Sequence, residues 1–251
     1  MKVSIITVSF NSQKTINDTF RSIRNQNYNN IEYIVVDGNS SDNTLKIIKQ
    51  NSDIIDKWIS QPDRGIYDAM NKGIELSTGD IIGILNSDDF YYNNNVISKV
   101  VNEFKHHNVD SIYSDLIYVK PTKTKVIQRY WKSKNFKENS FLFGWMPAHP
   151  TFFVKKHVYE TYGKFDLDLI SSADYEFMLR VLYKKKITTR YISFISVVMR
   201  NGGKSNNSFF SRLRGNKEDN LAWSINGIKP YFFTLFFKPL RKIPQFFIRP
   251  K

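Results

Sequence analysis

Ile81-Ile82-Gly83-Ile84-Leu85-Asn86-Ser87-Asp88-Asp89 is a short apolar run that stops on two adjacent carboxylates. A run of this length bounded by turn chemistry reads as a buried strand covered on both faces. Two acids at its end are poorly explained by packing, because a charge is costly to bury unless something pairs with it. They read instead as a place to hold a divalent cation. Magnesium and manganese prefer oxygen ligands, take one or two carboxylates, and leave the remaining positions to water and substrate phosphates. The plainer reading is an acidic turn leading into the loop at residues 91–95.

Outward from that run, strand and helix patterns alternate. Residues 3–9 form a β-branched run, and residues 15–24 carry Ile16, Phe20 and Ile23 at helical spacing. Residues 31–36 read as a second strand, and Ser40-Ser41-Asp42-Asn43-Thr44 supplies helix-capping chemistry for a helix through Leu45, Ile47 and Ile48. A third strand is expected at 55–59, a helix at 67–76, the fourth strand at 81–85 and a helix at 96–106. Such repetition implies a mostly parallel sheet covered by helices, which binds ligands beyond the carboxyl ends of its strands. The polar clusters fall at those ends: Ser9-Phe10-Asn11, Asp37-Gly38-Asn39-Ser40, Asp63-Arg64-Gly65 and Asn86 to Asp89.

The chain has 251 residues, 41% hydrophobic and 15% aromatic, ample for one large α/β domain or two small ones. It has no cysteine, so disulfides and cysteine-ligated zinc or iron–sulfur sites are excluded. The four histidines show no metal-ligand spacing, so any metal must be held by oxygens. The apolar run at residues 3–8 is too short for a signal peptide, and a cytoplasmic protein is expected.

Val8-Ser9-Phe10-Asn11, Val36-Asp37-Gly38-Asn39-Ser40-Ser41-Asp42, the stretch from Pro62-Asp63-Arg64-Gly65 to Asn71-Lys72-Gly73, and Leu85-Asn86-Ser87-Asp88-Asp89 occur in this order. The ordered set, over roughly residues 1–200, resembles glycosyltransferase family 2, and most nearly the bacterial enzymes of capsule, exopolysaccharide and O-antigen assembly. The resemblance implies a GT-A fold, an α/β nucleotide-binding sandwich with one continuous mixed sheet. It implies metal-dependent transfer of a sugar from a nucleotide donor, a UDP-sugar foremost, to an acceptor hydroxyl with inversion. Divided accordingly, 1–110 is the nucleotide-binding half, 111–204 the acceptor-binding half and 205–251 an extension.

By resemblance, Asp89 is the main ligand of a Mn2+ or Mg2+ ion and Asp88 contacts the ribose or metal-bound water. Ser9, Phe10, Asn11, Asp37, Asp63, Arg64, Asn71 and Lys72 belong to the nucleotide-sugar site, with Phe10 against the base and Asp37 on base or ribose. Phe10 as plain core, and Arg64 and Lys72 as solvated surface cations, are the alternatives. Two departures stand out. Gly38 replaces the second acid of the commoner Asp-Asp-Gly-Ser form, so no base contact can come from a side chain there, and Asn86 replaces the first acid of an Asp-x-Asp-Asp pattern. An inverting transfer needs a base. Ser171-Ser172-Ala173-Asp174-Tyr175-Glu176 resembles the family's base motif, with Asp174 the base and Glu176 its fallback; an ordinary helix-capping Asp is the alternative. His149, Arg180 and Lys204 are candidates for contacts to phosphate or acceptor. Processive relatives carry membrane spans and a Gln-x-x-Arg-Trp motif, both lacking here, so a single sugar addition is expected.

The formal charge of +14 is concentrated at the C-terminus, where residues 204–251 hold ten Lys or Arg against Glu218 and Asp219. Tyr231-Phe232-Phe233-Thr234-Leu235-Phe236-Phe237 runs into Lys238-Pro239-Leu240-Arg241-Lys242, with Phe246-Phe247-Ile248 beyond. No stretch reaches the ~20 apolar residues of a membrane span. Rings interleaved with basic residues suit the surface of an anionic leaflet, hence a peripheral place at the inner membrane face and a lipid-linked saccharide acceptor. A helix packing its rings on the domain is the alternative. Nucleic-acid binding would explain the tail but not the acids, and a sugar-phosphate nucleotidyltransferase lacks its glycine-rich N-terminal loop here.

Overall fold

The computed structural model describes residues 1–202 and 209–250. Their first half follows the alternation expected: β1 (Val3–Ser9), α1 (Ile16–Arg24), β2 (Ile31–Asp37), α2 (Thr44–Gln50), β3 (Lys57–Ser60), α3 (Ile66–Leu76), β4 (Ile81–Ile84), β5 (Phe90–Tyr91) and α4 (Val96–His106). β3, β2, β1 and β4 lie side by side and parallel, with Ile6 of β1 between Ile34 and Ile84. The third strand starts two residues later than residue 55. The Tyr33 N–H donates to the Asp56 carboxylate, which opens the pairing there, and Ile55 turns into the core instead.

The period of two along these strands divides the core. Ile6, Val8, Ile34, Val36 and Ile82 face one apolar layer, under α3; Val3, Ile5, Tyr33, Val35 and Ile81 face the other, with Ile16 and Phe20 of α1 and Ile48 of α2. Both faces are therefore covered, as a parallel sheet requires.

The second half turns the sheet mixed: β6 (Ser111–Lys120), β7 (Lys123–Trp131), β8 (Phe153–Lys155), α5 (Lys156–Tyr162), α6 (Ala173–Met178) running into a π-helical stretch Leu179–Lys184, and β9 (Thr189–Arg200). β8 adds antiparallel to β4, and β6 pairs with β8 at Ser111 and Ile112, with β7 from Leu116 on, and with β9 in parallel along its other edge. The outcome is one continuous sheet of nine strands among the described residues.

The expected extension supplies α7 (Phe209–Ile225) and α8 (Thr234–Leu240). It is docked on the rest of the chain. Trp223 and Ala222 are fully buried in the core layer under α3, and Thr234 donates to the Leu142 carbonyl at 2.6 Å. Gly144 makes this approach possible, since a Cβ there would meet the Lys238 backbone nitrogen at 2.5 Å and its φ of +71° is one that glycine favours.

At the edge opposite the strand ends, Glu32 is buried and accepts from Ser4, Thr78, Lys2 and Lys57. Burial pushes its carboxyl up, but these donors outweigh that and hold it well below the usual carboxylate range. Its stabilisation is thus present above the unfolded pKa of about 4.3 and lost as pH falls. Urea unfolding of Glu32→Gln at pH 7 should show a loss of about 2 kcal/mol, the scale of a hydrogen-bonded charge, and the difference from wild type should shrink below about pH 4.

Candidate active site

The carboxyl edge of the parallel strands is tied together by Asp37. Fully buried at the end of β2, it accepts from Ser9 Oγ of β1 at 3.0 Å, from the Ser40 hydroxyl and N–H at 2.5 and 2.9 Å, and from Ser60 Oγ of β3 at 2.7 Å. Asn11, with a positive φ of 52°, accepts from the Ser41 N–H, and its own N–H donates to Ser40 Oγ. Ser9, Asn11 and Asp37 therefore shape the loops. Phe10, half exposed, and Asp63 flank Gly38, where a Cβ would stand 2.4 Å from the Asp63 carboxylate and 3.5 Å from the Phe10 ring. With glycine at 38, the Asp63 carboxylate stands where a side chain at 38 would begin.

Two of the expected donor residues are otherwise engaged. Asn71 is buried, and its amide bonds both the N–H and the carbonyl of Phe165, fastening that segment onto α3. Lys72 lies on the Asp68 carboxylate and the Pro62 carbonyl, both at 3.1 Å. Arg64 is exposed at the rim of the same loop.

Past β4, Asp88 is half-buried and Asp89 wholly buried. The turn is held by Thr19, which donates to the Asp89 carbonyl at 2.6 Å, and by Arg200 at the end of β9, which donates to the Asp88 carbonyl at 2.6 Å and pairs with Asp18. Neither carboxylate oxygen of Asp89 has a hydrogen-bond partner, nor does Oδ1 of Asn86. Burial, and then the charge of Asp88, push the Asp89 carboxyl well above its ordinary value, while burial raises Asp88. Such a group is expensive unless a cation completes it. Among the described residues no cluster of three acidic or histidine side chains forms, so the residues present fit a divalent ion that takes Asp88 and Asp89 from the protein and the rest from substrate and water.

The second half of the chain brings Asp174 and His149 together. His149 opens a 3-10 turn (His149–Thr151) pinned to β6 through Thr151, whose hydroxyl accepts from the Ser114 N–H and lies 3.1 Å from the Ser114 carbonyl. Asp174 sits in the first turn of α6, whose leading N–H groups at Ser171 and Ser172 donate to the Glu218 carboxylate of α7. The Tyr67 hydroxyl of α3 donates to Asp174 Oδ1 at 2.8 Å, and His149 Nδ1 lies 3.0 Å from Oδ2. Burial pushes this carboxyl up, but His149, Tyr67 and Lys238 of α8 outweigh it and hold Asp174 well below the usual range.

Glu176 and Arg180, expected near acceptor or phosphate, hold each other in a clasp. Glu176 is buried and pairs with both Nε and Nη2 of Arg180 at 2.9 Å, and Arg180 also donates to the carbonyls of Tyr162, Gly163 and Lys164. Lys204 lies outside the described residues. Of the aromatics between 115 and 165, Tyr118, Tyr130 and Trp145 are buried, whereas Trp131 stands half-buried, edge-on to His149 at 6.3 Å. Sequence reasoning missed the Tyr67 hydroxyl and Lys238 as neighbours of Asp174. Their partners lie tens of residues away, and for Lys238 the aromatic surroundings were the only local signal.

The sequence pattern described as "Glycosyl transferase family 2" matches residues 4–161. The chain belongs to glycosyltransferase family 2. An uncharacterized glycosyltransferase of Mycobacterium tuberculosis is 32% identical over 193 residues, 76% of this chain and 72% of that one. A PGL/p-HBAD biosynthesis glycosyltransferase of Mycobacterium bovis is 28% identical over 196 residues, 76% of this chain and 74% of that one. Among solved structures, residues 1–349 of S. aureus TarS with UDP-GlcNAc match with a TM-score of 0.71 at 16% identity, over 94% of this chain and 69% of that one. A Pyrobaculum calidifontis mannosyltransferase with GDP-Man and Mn2+ gives 0.65 at 17%, over 94% of this chain and 68% of that one. The chain spans 37% of the longer TarS structure. The fold is GT-A, and this family 2 chain is a nucleotide-sugar glycosyltransferase.

Because Asp89 is raised by its surroundings, protons compete with a cation for it, and the cation gains as pH rises. Mn2+ should raise the melting temperature of the wild type more at pH 7.5 than at pH 5.5. In Asp89→Asn the increment should vanish at both, as read by differential scanning fluorimetry.

Proposed function

We propose that this glycosyltransferase is an inverting, metal-dependent and non-processive enzyme of surface polysaccharide or glycolipid assembly. It moves one sugar from a nucleotide-diphosphate donor, a UDP-sugar foremost, to a hydroxyl of a lipid-linked saccharide. The observation that carries this reading is a pair of carboxylates driven in opposite directions, Asp89 up and Asp174 down, since environments that separate two acids assign them different work.

In this reading Phe10 and Asp63 flank the base, and the Asp37 hub holds Ser9, Ser40 and Ser60 around the nucleoside. Asp88 and Asp89 hold the divalent cation, which when bound neutralises charge on the departing diphosphate. Asp174 stays ionised across the working pH range and takes the acceptor proton. Its low basicity suffices because the hydroxyl sheds its proton late, as the new C–O bond acidifies it. Tyr67 and His149 orient the carboxylate, and Trp131 offers a face for a sugar ring. The structural neighbours with UDP-GlcNAc and GDP-Man support the donor class.

No helix among the described residues is long and apolar enough to cross a membrane. Phe232 is 98% and Phe247 80% exposed, beside exposed Phe236 and Ile243, which supports shallow insertion at an anionic surface. A panel of UDP-, GDP- and dTDP-sugars with and without Mn2+ should give one metal-dependent donor. Asp174→Asn should lower kcat by about a hundredfold or more with donor KM little changed, the scale of a lost general base; unchanged kcat would remove Asp174 from the chemistry. Sedimentation with vesicles containing phosphatidylglycerol should detect wild type but lose Phe232→Ser/Phe247→Ser, whose side chains lie outside the fold. Equal sedimentation would sink the membrane reading.

A further inference from the structure

The C-terminal segment brings cations to the acceptor side of the site. Arg129 of β7 lies with its guanidinium 4.5 Å from the Tyr118 ring, 5.4 Å from Trp131 and 5.6 Å from Phe246. Its Nε donates to Gln245 Oε1 at 2.6 Å, while its Nη2 is buried without a hydrogen-bond partner. Lys238 of α8, mostly buried, lies 2.6 Å from Asp219 and 3.7 Å from the centre of the Tyr175 ring. Lys242 follows four residues later with helical backbone between, so it falls on the same side. The residue as a whole is exposed, yet desolvation of its ammonium, then Lys238 and Arg129 nearby, push it down to about 8.

The acids in reach are already taken, Asp219 by Lys238 and Asp174 by His149. Arg129 and Lys242 pair with no carboxylate among the described residues, and Gln245 joins them, its side chain accepting from Arg129 and its N–H donating to the Lys242 carbonyl. Arg129 with its unpartnered buried N–H group, Lys242 joined to it through Gln245, and Lys238 one turn before Lys242 form a costly arrangement that an anion with several oxygens would complete. The turn that carries Gln245 also carries exposed Ile243, Phe246 and Phe247, so the charged cluster passes without a break into an apolar surface. A phosphoryl head on a hydrocarbon chain has that same sequence of chemistries.

We propose that Arg129, Lys238 and Lys242 form an anion subsite for the phosphoryl group joining the acceptor saccharide to its lipid carrier, with Ile243, Phe246 and Phe247 against the first carbons of that carrier. This rests on the glycosyl-transfer reading above and names where its acceptor is gripped. The phosphate anchors the carrier, so the saccharide beyond it is presented to Asp174 from the membrane side.

Calorimetric titration of the full chain tests it with farnesyl diphosphate, inorganic pyrophosphate and farnesol in EDTA, and separately with UDP and GDP in Mn2+. Farnesyl diphosphate should bind at least tenfold more tightly than either pyrophosphate or farnesol. Lys242→Gln and Arg129→Gln, checked for unchanged melting, should each weaken it tenfold or more and leave nucleotide binding as it was. Lys238 is left alone because its loss would also loosen Asp219. Unchanged farnesyl diphosphate affinity in both variants would overturn the subsite. So would pyrophosphate binding as tight as farnesyl diphosphate, and so would a parallel fall in nucleotide affinity, which would make the cluster part of the donor's phosphate site. Variant-sensitive prenyl diphosphate binding with no nucleotide binding in Mn2+ would overturn the donor reading and uphold the lipid-phosphate subsite.

Discussion

One buried carboxylate makes the working edge of this sheet possible. Asp37 ends β2 at full burial and would be a liability there without donors. Ser9, Ser40 and Ser60 supply them from the ends of three adjacent parallel strands or the loops just past them, so its charge draws separate loops into one surface. Parallel strands all deliver their following loops to the same edge, and something must hold those loops in register. Phe10, Gly38 and Asp63 are neighbours because that hub is satisfied. The juxtaposition of an aromatic ring and a carboxylate at this edge thus rests on a hydrogen-bond requirement deeper in the chain.

The acceptor side is built by the opposite device, charge brought in from far away in sequence. Glu218 of α7 accepts the leading N–H groups of α6, Lys238 of α8 adds positive potential around Asp174, and Arg200 at the end of β9 holds the Asp88 turn. A segment whose composition reads as a membrane tail therefore also packs around Asp174. The two roles are compatible because they use different sides of α8 and the turn after it: Thr234 and Lys238 face the domain, and Phe232, Phe236 and Phe247 face outward.

The donor half was legible because local rules govern it. Alternating apolar residues, capping clusters and acids at strand ends each signal within a few positions, and β1 and α4 fall where the periodicity puts them. The acceptor half was less legible because its decisive contacts are long-range. Asn71 looks like a member of a motif at the donor site, yet its amide is claimed by Phe165, ninety-four residues on. Glu176 looks like a second base beside Asp174, but one helical turn brings Arg180 onto it, and Asn226 of the C-terminal segment adds a further donor. Aromatic composition alone also could not separate Trp131, half-buried beside His149, from Tyr118, Tyr130 and Trp145, which fill the interior.

The exchange at Gly38 shows how a departure from a family pattern carries structural information. A Cβ at 38 would approach the Asp63 carboxylate to 2.4 Å, so a side chain there requires that carboxylate to move aside. The chain has one acid there instead of two, reached from the loop after β3 and steadied by the Gly65 N–H at 2.9 Å. The path of the loop at residues 61–65 therefore sets where that carboxylate stands, while the Asp37 hub and the Asp88–Asp89 turn are held by contacts of their own.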